Sequence, residues 1–422
     1  MHLCRTRPRW FVVLVAVMAA LVALTGCGSS SKKASSKSDA GATSSAKELG
    51  TPNKAAGTPV KIGLISDGKS DAIDNTPELV TATATAKYVN EYLNGINGHP
   101  ISLVTCETHQ TPSGATDCAT KMVEAKVAAV LNGVSGQGAS IFKGLTGSNI
   151  PLIVYASIDQ DTLLKPGAFV LTNGLASAIA GPAGVAREHG VKRAGVIVTD
   201  VPAATGPVKA IGGVFYKNAG VQLDIVSVPP GTADMTPQIQ SELANKPGQL
   251  AIIGDAAFCT SALKATKTLG FTGGAVLIPQ CIDEKSSASI PGGYKGMTVL
   301  TSDTTDPSDK DYQTYEAVLA TYAKGTLKGG VTGGGFAVVL AFQRVMQGVT
   351  ADITAATVTD TFSHMSKAVP LPLGAGITFQ CGTKPVAITP NICASSILTA
   401  ELDEHGQGHN FKTLDTADIT KL

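Results

Sequence analysis

With 422 residues, 33 Lys and Arg against 32 Asp and Glu, one tryptophan and 5% aromatic residues, the chain has neither the basic excess nor the stacking side chains of a nucleic-acid binder. Its length beyond the N-terminal segments exceeds one compact domain and fits two lobes sharing a chain. GxSxG and HExxH are absent and the seven histidines are scattered, so no catalytic residue, cofactor or metal is expected.

In chain order, Arg5, Arg7 and Arg9 precede an apolar run from Trp10 to Leu24. A charged start followed by an apolar stretch too short to span a bilayer is the layout of a secretory signal peptide, assigned to residues 1–26. The run ends in Leu24-Thr25-Gly26-Cys27, which resembles the bacterial lipobox. That resemblance implies cleavage before Cys27 and lipidation of its thiol. Residues 27–58 hold almost nothing able to form a core and read as a flexible, solvated tether. Removing the three signal arginines leaves 30 of the 33 basic residues against 32 acidic ones, a mature charge of about −2.

Apart from Cys4 and Cys27, six cysteines remain, and they fall into three near pairs. In an exported chain this arrangement reads as three local disulfides, Cys106–Cys118, Cys259–Cys281 and Cys381–Cys393. A metal site is disfavoured because CxxC and histidines at ligand spacing are missing.

From Val60 onward, short apolar runs alternate with amphipathic stretches, the pattern of repeated βα units. The first half reads strand 60–66, helix 76–94, strand 100–106, helix 112–125, strand 127–134, helix 138–147, strand 151–156 and strand 169–172. The second half reads helix 177–189, strand 194–199, helix 205–219, strand 222–228, helix 234–245, strand 250–254, helix 257–269, strand 274–279 and strand 297–301. Helices over 308–323, 333–348 and 354–366 and a strand near 395–401 complete the chain. The expected fold is α/β, two doubly wound parallel-sheet lobes joined by a multi-strand hinge. Residues 59–173 plus 303–370 form the first lobe, and 174–302 plus 371–422 the second.

The opening strand VKIGLIS, the segment HPISLVTCETHQTPSGATDCATKMVEAKVAAVLNGVSGQG, IPLIVYAS, GVKRAGVIVTD, KNAGVQLDIVSVPPGTADMTPQIQSEL, ALKATKTLGFTGG and the late GAGITFQCG follow one another in an order and spacing that resemble the type I periplasmic solute-binding proteins of the branched-chain amino acid group. In that family Cys106 and Cys118 match a disulfide at the edge of the first lobe. The resemblance implies an extracytoplasmic, membrane-anchored, monomeric binding protein that hands a small solute to an ABC permease. A pair of ligand-sensing lobes serving a signalling partner is the alternative. The loop from Asp67 to Thr76 is longer and more polar than the family's, and Thr205-Gly206 replaces a tyrosine-glycine pair, so leucine, isoleucine or valine cannot be assumed as ligand.

Ligands of open parallel sheets sit beyond the carboxyl ends of the strands, which selects the turns that follow them. Ser135, Gly136, Gln137, Ala156 and Ser157 offer amides and hydroxyls suited to the anionic end of a ligand. Asp200, Thr205, Asp255, Phe258 and Gln280 face them from the second lobe, with Asp255 either pairing an ammonium or capping the helix that follows it. Gly333-Gly334-Gly335 is expected to let a helix start close against its neighbour.

Overall fold

The computed structural model describes residues 47–421 apart from 71–73, 158 and 327–330. The signal segment and Cys27 lie outside the described residues. The first sheet holds β1 (Val60–Ser66), β2 (Ile101–Glu107), β3 (Val130–Val134), β4 (Leu152–Ala156) and β5 (Ala168–Val170), all parallel in the order β2-β1-β3-β4-β5. Its central strands are buried on both faces, which is why LIVYA is a continuous apolar run and VKIGLIS is buried without alternation from Ile62 on. Helices α1 (Thr76–Tyr92), α2 (Pro112–Ala125), α3 (Gly138–Leu145) and α4 (Gln160–Leu164) connect these strands. At the start of α2, Thr111 accepts a hydrogen bond from the Gly114 amide at 3.0 Å and Pro112 fills the first turn.

The second sheet has seven strands in the order β14-β13-β10-β9-β8-β6-β7. They are β6 (Arg193–Thr199), β7 (Gln222–Val228), β8 (Gln249–Ile253), β9 (Gly274–Leu277), β10 (Thr298–Thr301), β13 (Ser396–Leu402) and β14 (Gly408–Asp415). The last two run antiparallel. Helices α5 (Gly174–Glu188), α6 (Pro202–Asn218), α7 (Thr236–Leu243), α8 (Ala256–Thr268) and α9 (Glu284–Ser287) belong to this half. After β10 the chain returns to the first sheet through α10 (Lys310–Tyr322), α11 (Val331–Met346) and α12 (Ala355–Ser363). It then makes the small hairpin β11 (Val369–Pro370) and β12 (Thr378–Phe379) and crosses again into β13. Three passages therefore link the two sheets, near residues 173, 303 and 395. The chain thus has the α/β type I architecture of two parallel-sheet lobes.

The glycine run at the start of α11 serves the close approach expected of it: a Cβ on Gly335 would lie 2.3 Å from the carbonyl oxygen of Glu78 in α1. The three cysteine pairs are bonded as read from their spacing, 106 to 118, 259 to 281 and 381 to 393.

Two expectations need revision. Residues 49–57 were assigned to the solvated tether, yet they are fastened to the first lobe. Leu49 and Ala55 are buried, and the amides of Asn53, Ala55 and Gly57 donate to the carbonyls of Glu91, Asn90 and Gly98. A few apolar residues and extended backbone are enough when the end of α1 offers unpaired carbonyls. The stretch 371–394, expected with the second lobe, puts Leu371, Leu373, Ile377, Phe379, Cys381 and Cys393 into the core around the first sheet. It also pairs with the sheet's edge, the Cys393 amide donating to Val170 O at 2.8 Å and the Val170 amide to Asn391 O at 2.9 Å.

Candidate functional site

The carboxyl ends of the first-lobe strands converge on a side chain that was not singled out in the sequence. Asp67 follows β1 directly and is 3% exposed. Its Oδ1 accepts from the Thr108 hydroxyl at 2.9 Å and the Ser135 hydroxyl at 2.5 Å, and its Oδ2 from the Gly136 amide at 2.9 Å. One carboxylate thus ties together the turns after β1, β2 and β3. Ser135 Oγ in turn accepts from the Gln137 amide at 2.9 Å, and Gln137 Nε2 donates to Gln110 O at 3.2 Å.

The other side of the same glycine-rich turn is filled as well. A Cβ on Gly138 would stand 2.1 Å from Asp159 Oδ2, so this carboxylate lies against the first turn of α3. Ser157, 7% exposed, shares its hydroxyl with Thr162 at 2.6 Å and with Asp159 at 3.4 Å. Burial pushes the Asp159 carboxyl up, the Ser157 hydroxyl and the Ala139 amide pull it down, and the charges of Asp161 and Asp67 push it up again. The donors of Ser135, Gly136 and Ser157 do lie together at the strand ends, but resident carboxylates occupy them. A ligand carboxylate is not expected there, because it would meet two like charges.

Beneath this rim lies Glu78, on the first turn of α1 and fully buried. Its Oε2 is 2.5 Å from Ser66 Oγ, and its Oε1 accepts from the Val134 amide at 2.6 Å. Burial raises its pKa to about 8 against the opposing pull of those two donors, and the Asp67 charge adds to the rise. At neutral pH it therefore carries a proton.

In the second lobe, Asp255 is the N-cap of α8. Its Oδ1 accepts from the Phe258 amide at 2.9 Å, and the side chain is exposed. Asp255→Ala should cost about 1 kcal/mol of stability in urea titrations, whereas Asp255→Asn should cost little because asparagine caps as well. Phe258 was expected in the cleft but is buried in the second-lobe core, 5% exposed. Its ring lies over Gly254, where a Cβ would meet it at 2.4 Å. Thr205 is buried and returns its hydroxyl to Val201 O at 3.0 Å, within its own helix. Asp200 and Gln280 are exposed at the ends of β6 and β9, and Ala156 is half-buried at the end of β4.

A partly open interlobe cavity of about 530 Å³ flanks the passage at 303. Asp303 and Thr304 come from the passage itself, Tyr312, Tyr315 and Gly333 from the helices over the first sheet, and Gln407 and Gly408 from the edge of the second. Burial raises the Asp303 pKa against the hydrogen bond from the Thr301 hydroxyl, 3.1 Å from Oδ1. Above it the Tyr155 hydroxyl donates to Ser302 O at 3.0 Å.

The sequence model of the family described as periplasmic binding protein matches residues 59–388, most of the chain, with the whole first sheet and five of the seven strands of the second. The chain belongs to the periplasmic binding protein family. No curated protein matches it in sequence. Solved structures share the fold at low identity. The branched-chain amino acid transporter substrate-binding protein of Streptococcus pneumoniae, in complex with isoleucine, is 14% identical, covers 85% of this chain and 100% of its own, and gives a TM-score of 0.62. An ABC transporter substrate-binding protein of Sphaerobacter thermophilus is 17% identical over 85% of this chain and 96% of its own, at 0.66. A fatty acid ABC transporter substrate-binding protein of Thermomonospora curvata is 12% identical over 87% and 94%, at 0.62.

One backbone plan therefore accompanies proteins described with isoleucine and with fatty acids, and side chains must decide the ligand. In this periplasmic binding protein the strand-end turns bring Asp67 and Asp159 from one lobe, Asp200 and Asp255 from the other, and Asp303 from the passage between them. Of the basic residues near these ends, Lys69 lies 3.7 Å from Asp74. The turns after β6, β8 and β10 contain none.

Proposed function

We propose that this periplasmic binding protein is an extracytoplasmic receptor that captures a small polar solute between its lobes and delivers it to an ABC permease. The observation that carries the reading is the match over residues 59–388 to a solute-binding family, on a fold in which the chain passes three times between two sheets whose strand ends carry polar side chains. Parallel passages favour closure about one axis, and a solute touching both lobes stabilises the closed state by contacts the open state lacks. Ser135 and Ser157 act on the solute by holding Asp67 and Asp159 in place, and Asp200 and Gln280 are the exposed second-lobe groups positioned to meet it.

The protein acts as a monomer held at the outer face of the cell membrane by a lipid on Cys27. Full-length protein should fractionate with membranes, and Cys27→Ala should move it to the fluid fraction. Equal membrane partition of the two would remove the anchor from the account. For the binding function itself, freshly purified protein is denatured and the released small molecules are identified by mass spectrometry. One polar solute in near-stoichiometric amount is expected. Protein that releases none, and that no amino acid or amine stabilises against heat, contradicts the reading.

A further inference from the structure

The interlobe cavity has a composition that restricts what can enter it. Its volume of about 530 Å³ lies within the range of small-molecule sites. Asp303 supplies a carboxylate, Tyr312 and Tyr315 supply rings with centroids 5.9 Å apart, and Thr304 and Gln407 supply neutral polar groups, while among the described residues no Lys, Arg or His lines it. The Thr301 hydroxyl donates to Oδ1 of the Asp303 carboxylate at 3.1 Å. Oδ2 points toward Gly333, where a Cβ would stand 3.1 Å away. A carboxylate in such surroundings is costly unless a cation pairs with it, and tyrosine rings add to the attraction of an ammonium or guanidinium group.

A second set of residues, at the carboxyl ends of the first-lobe strands, bears on the opposite charge. The amides and hydroxyls that could receive an anion, at Ser135, Gly136 and Ser157, are taken by Asp67 and Asp159. We propose that the hinge-side cavity receives the cationic group of the solute, an amine or guanidinium held by Asp303 beside Tyr312 and Tyr315, and that the protein selects cationic over anionic solutes. The proposal rests on the reading that the cleft binds a solute. It goes further in assigning the charge of that solute and the residue that selects it. Because the cavity is walled by both lobes and by the passage between them, its occupant is placed to couple directly to their closure.

Calorimetry with choline, putrescine and agmatine as cationic probes, glutamate and succinate as anionic ones, and isoleucine as a zwitterion tests this on the wild type, Asp303→Asn and Gly333→Ala. At least one cationic probe should bind the wild type, and Asp303→Asn should weaken it at least tenfold with the melting temperature little changed. Gly333→Ala keeps the carboxylate and narrows its approach, so it should weaken the same probe even if Asp303→Asn proves unstable. Undiminished binding of the cationic probe to either folded variant overturns the proposal. Wild-type protein that binds no cationic probe overturns it too, and if glutamate or isoleucine binds in that series, the solute-binding reading survives while the charge assignment falls.

Discussion

Asp67→Ala should lower the stability of the protein by about 3–5 kcal/mol, because it strips one buried partner from three donors at once. The Thr108 and Ser135 hydroxyls and the Gly136 amide all end on this carboxylate, and the fully buried Thr108 hydroxyl would be left without its acceptor. Ser135→Ala removes one of these donors and the acceptor of the half-buried Gln137 amide, and leaves the other two donors on the carboxylate, so it should cost only about 1 kcal/mol. Urea titrations of both variants followed by circular dichroism make the comparison. Losses of equal size would mean that Asp67 is not the hub of the strand ends.

Glu78→Gln should change how stability depends on pH. The carboxyl has a folded pKa of about 8 against 4.5 for the ordinary side chain, so folding favours its protonated form. Below pH about 4.5 both states hold the proton and the stabilisation is complete. Between about 4.5 and 8 the folded state keeps a proton that the unfolded state has lost, and each pH unit costs about 1.4 kcal/mol. Above about 8 both states are ionised, and the folded one holds a buried charge next to Asp67. Glutamine keeps the neutral shape, with an oxygen for the Val134 amide and an N–H for Ser66 Oγ. The variant should therefore lack this slope and be the more stable protein at pH 8.5. Parallel stability curves for the two proteins from pH 5 to 8.5 would show that Glu78 does not titrate there.

The elements that read most clearly in the sequence were those with continuous apolar runs or strong caps. Strand 60–66, helix 112–125 and strand 222–228 lie where their patterns end. β14 was not seen, because Gly408–Asp415 is an edge strand whose side chains are mostly exposed, with only Leu414 buried, so no apolar period marks it. α4 is five residues long and leaves too short a pattern to recognise. The site was harder. Asp255 carried two meanings, and the cap is visible only once the Phe258 amide is placed. Phe258 looked like an aromatic in the cleft, but the missing side chain of Gly254 lets its ring turn into the core. Asp67 had no local signal at all, since Thr108 and Ser135 lie 41 and 68 residues away along the chain. The acidity of the strand ends was written in the sequence from the start. Its bearing on the ligand emerged only when the glycine-rich turn was found filled by Asp67 and Asp159.

Closure of the two lobes on a solute is most directly measured by small-angle X-ray scattering of the protein stripped of its solute and then saturated with it. The account predicts a smaller radius of gyration and a loss of long interatomic distances in the saturated protein, reversed when the solute is removed. Superimposable scattering curves, with calorimetry showing full occupancy, would contradict it.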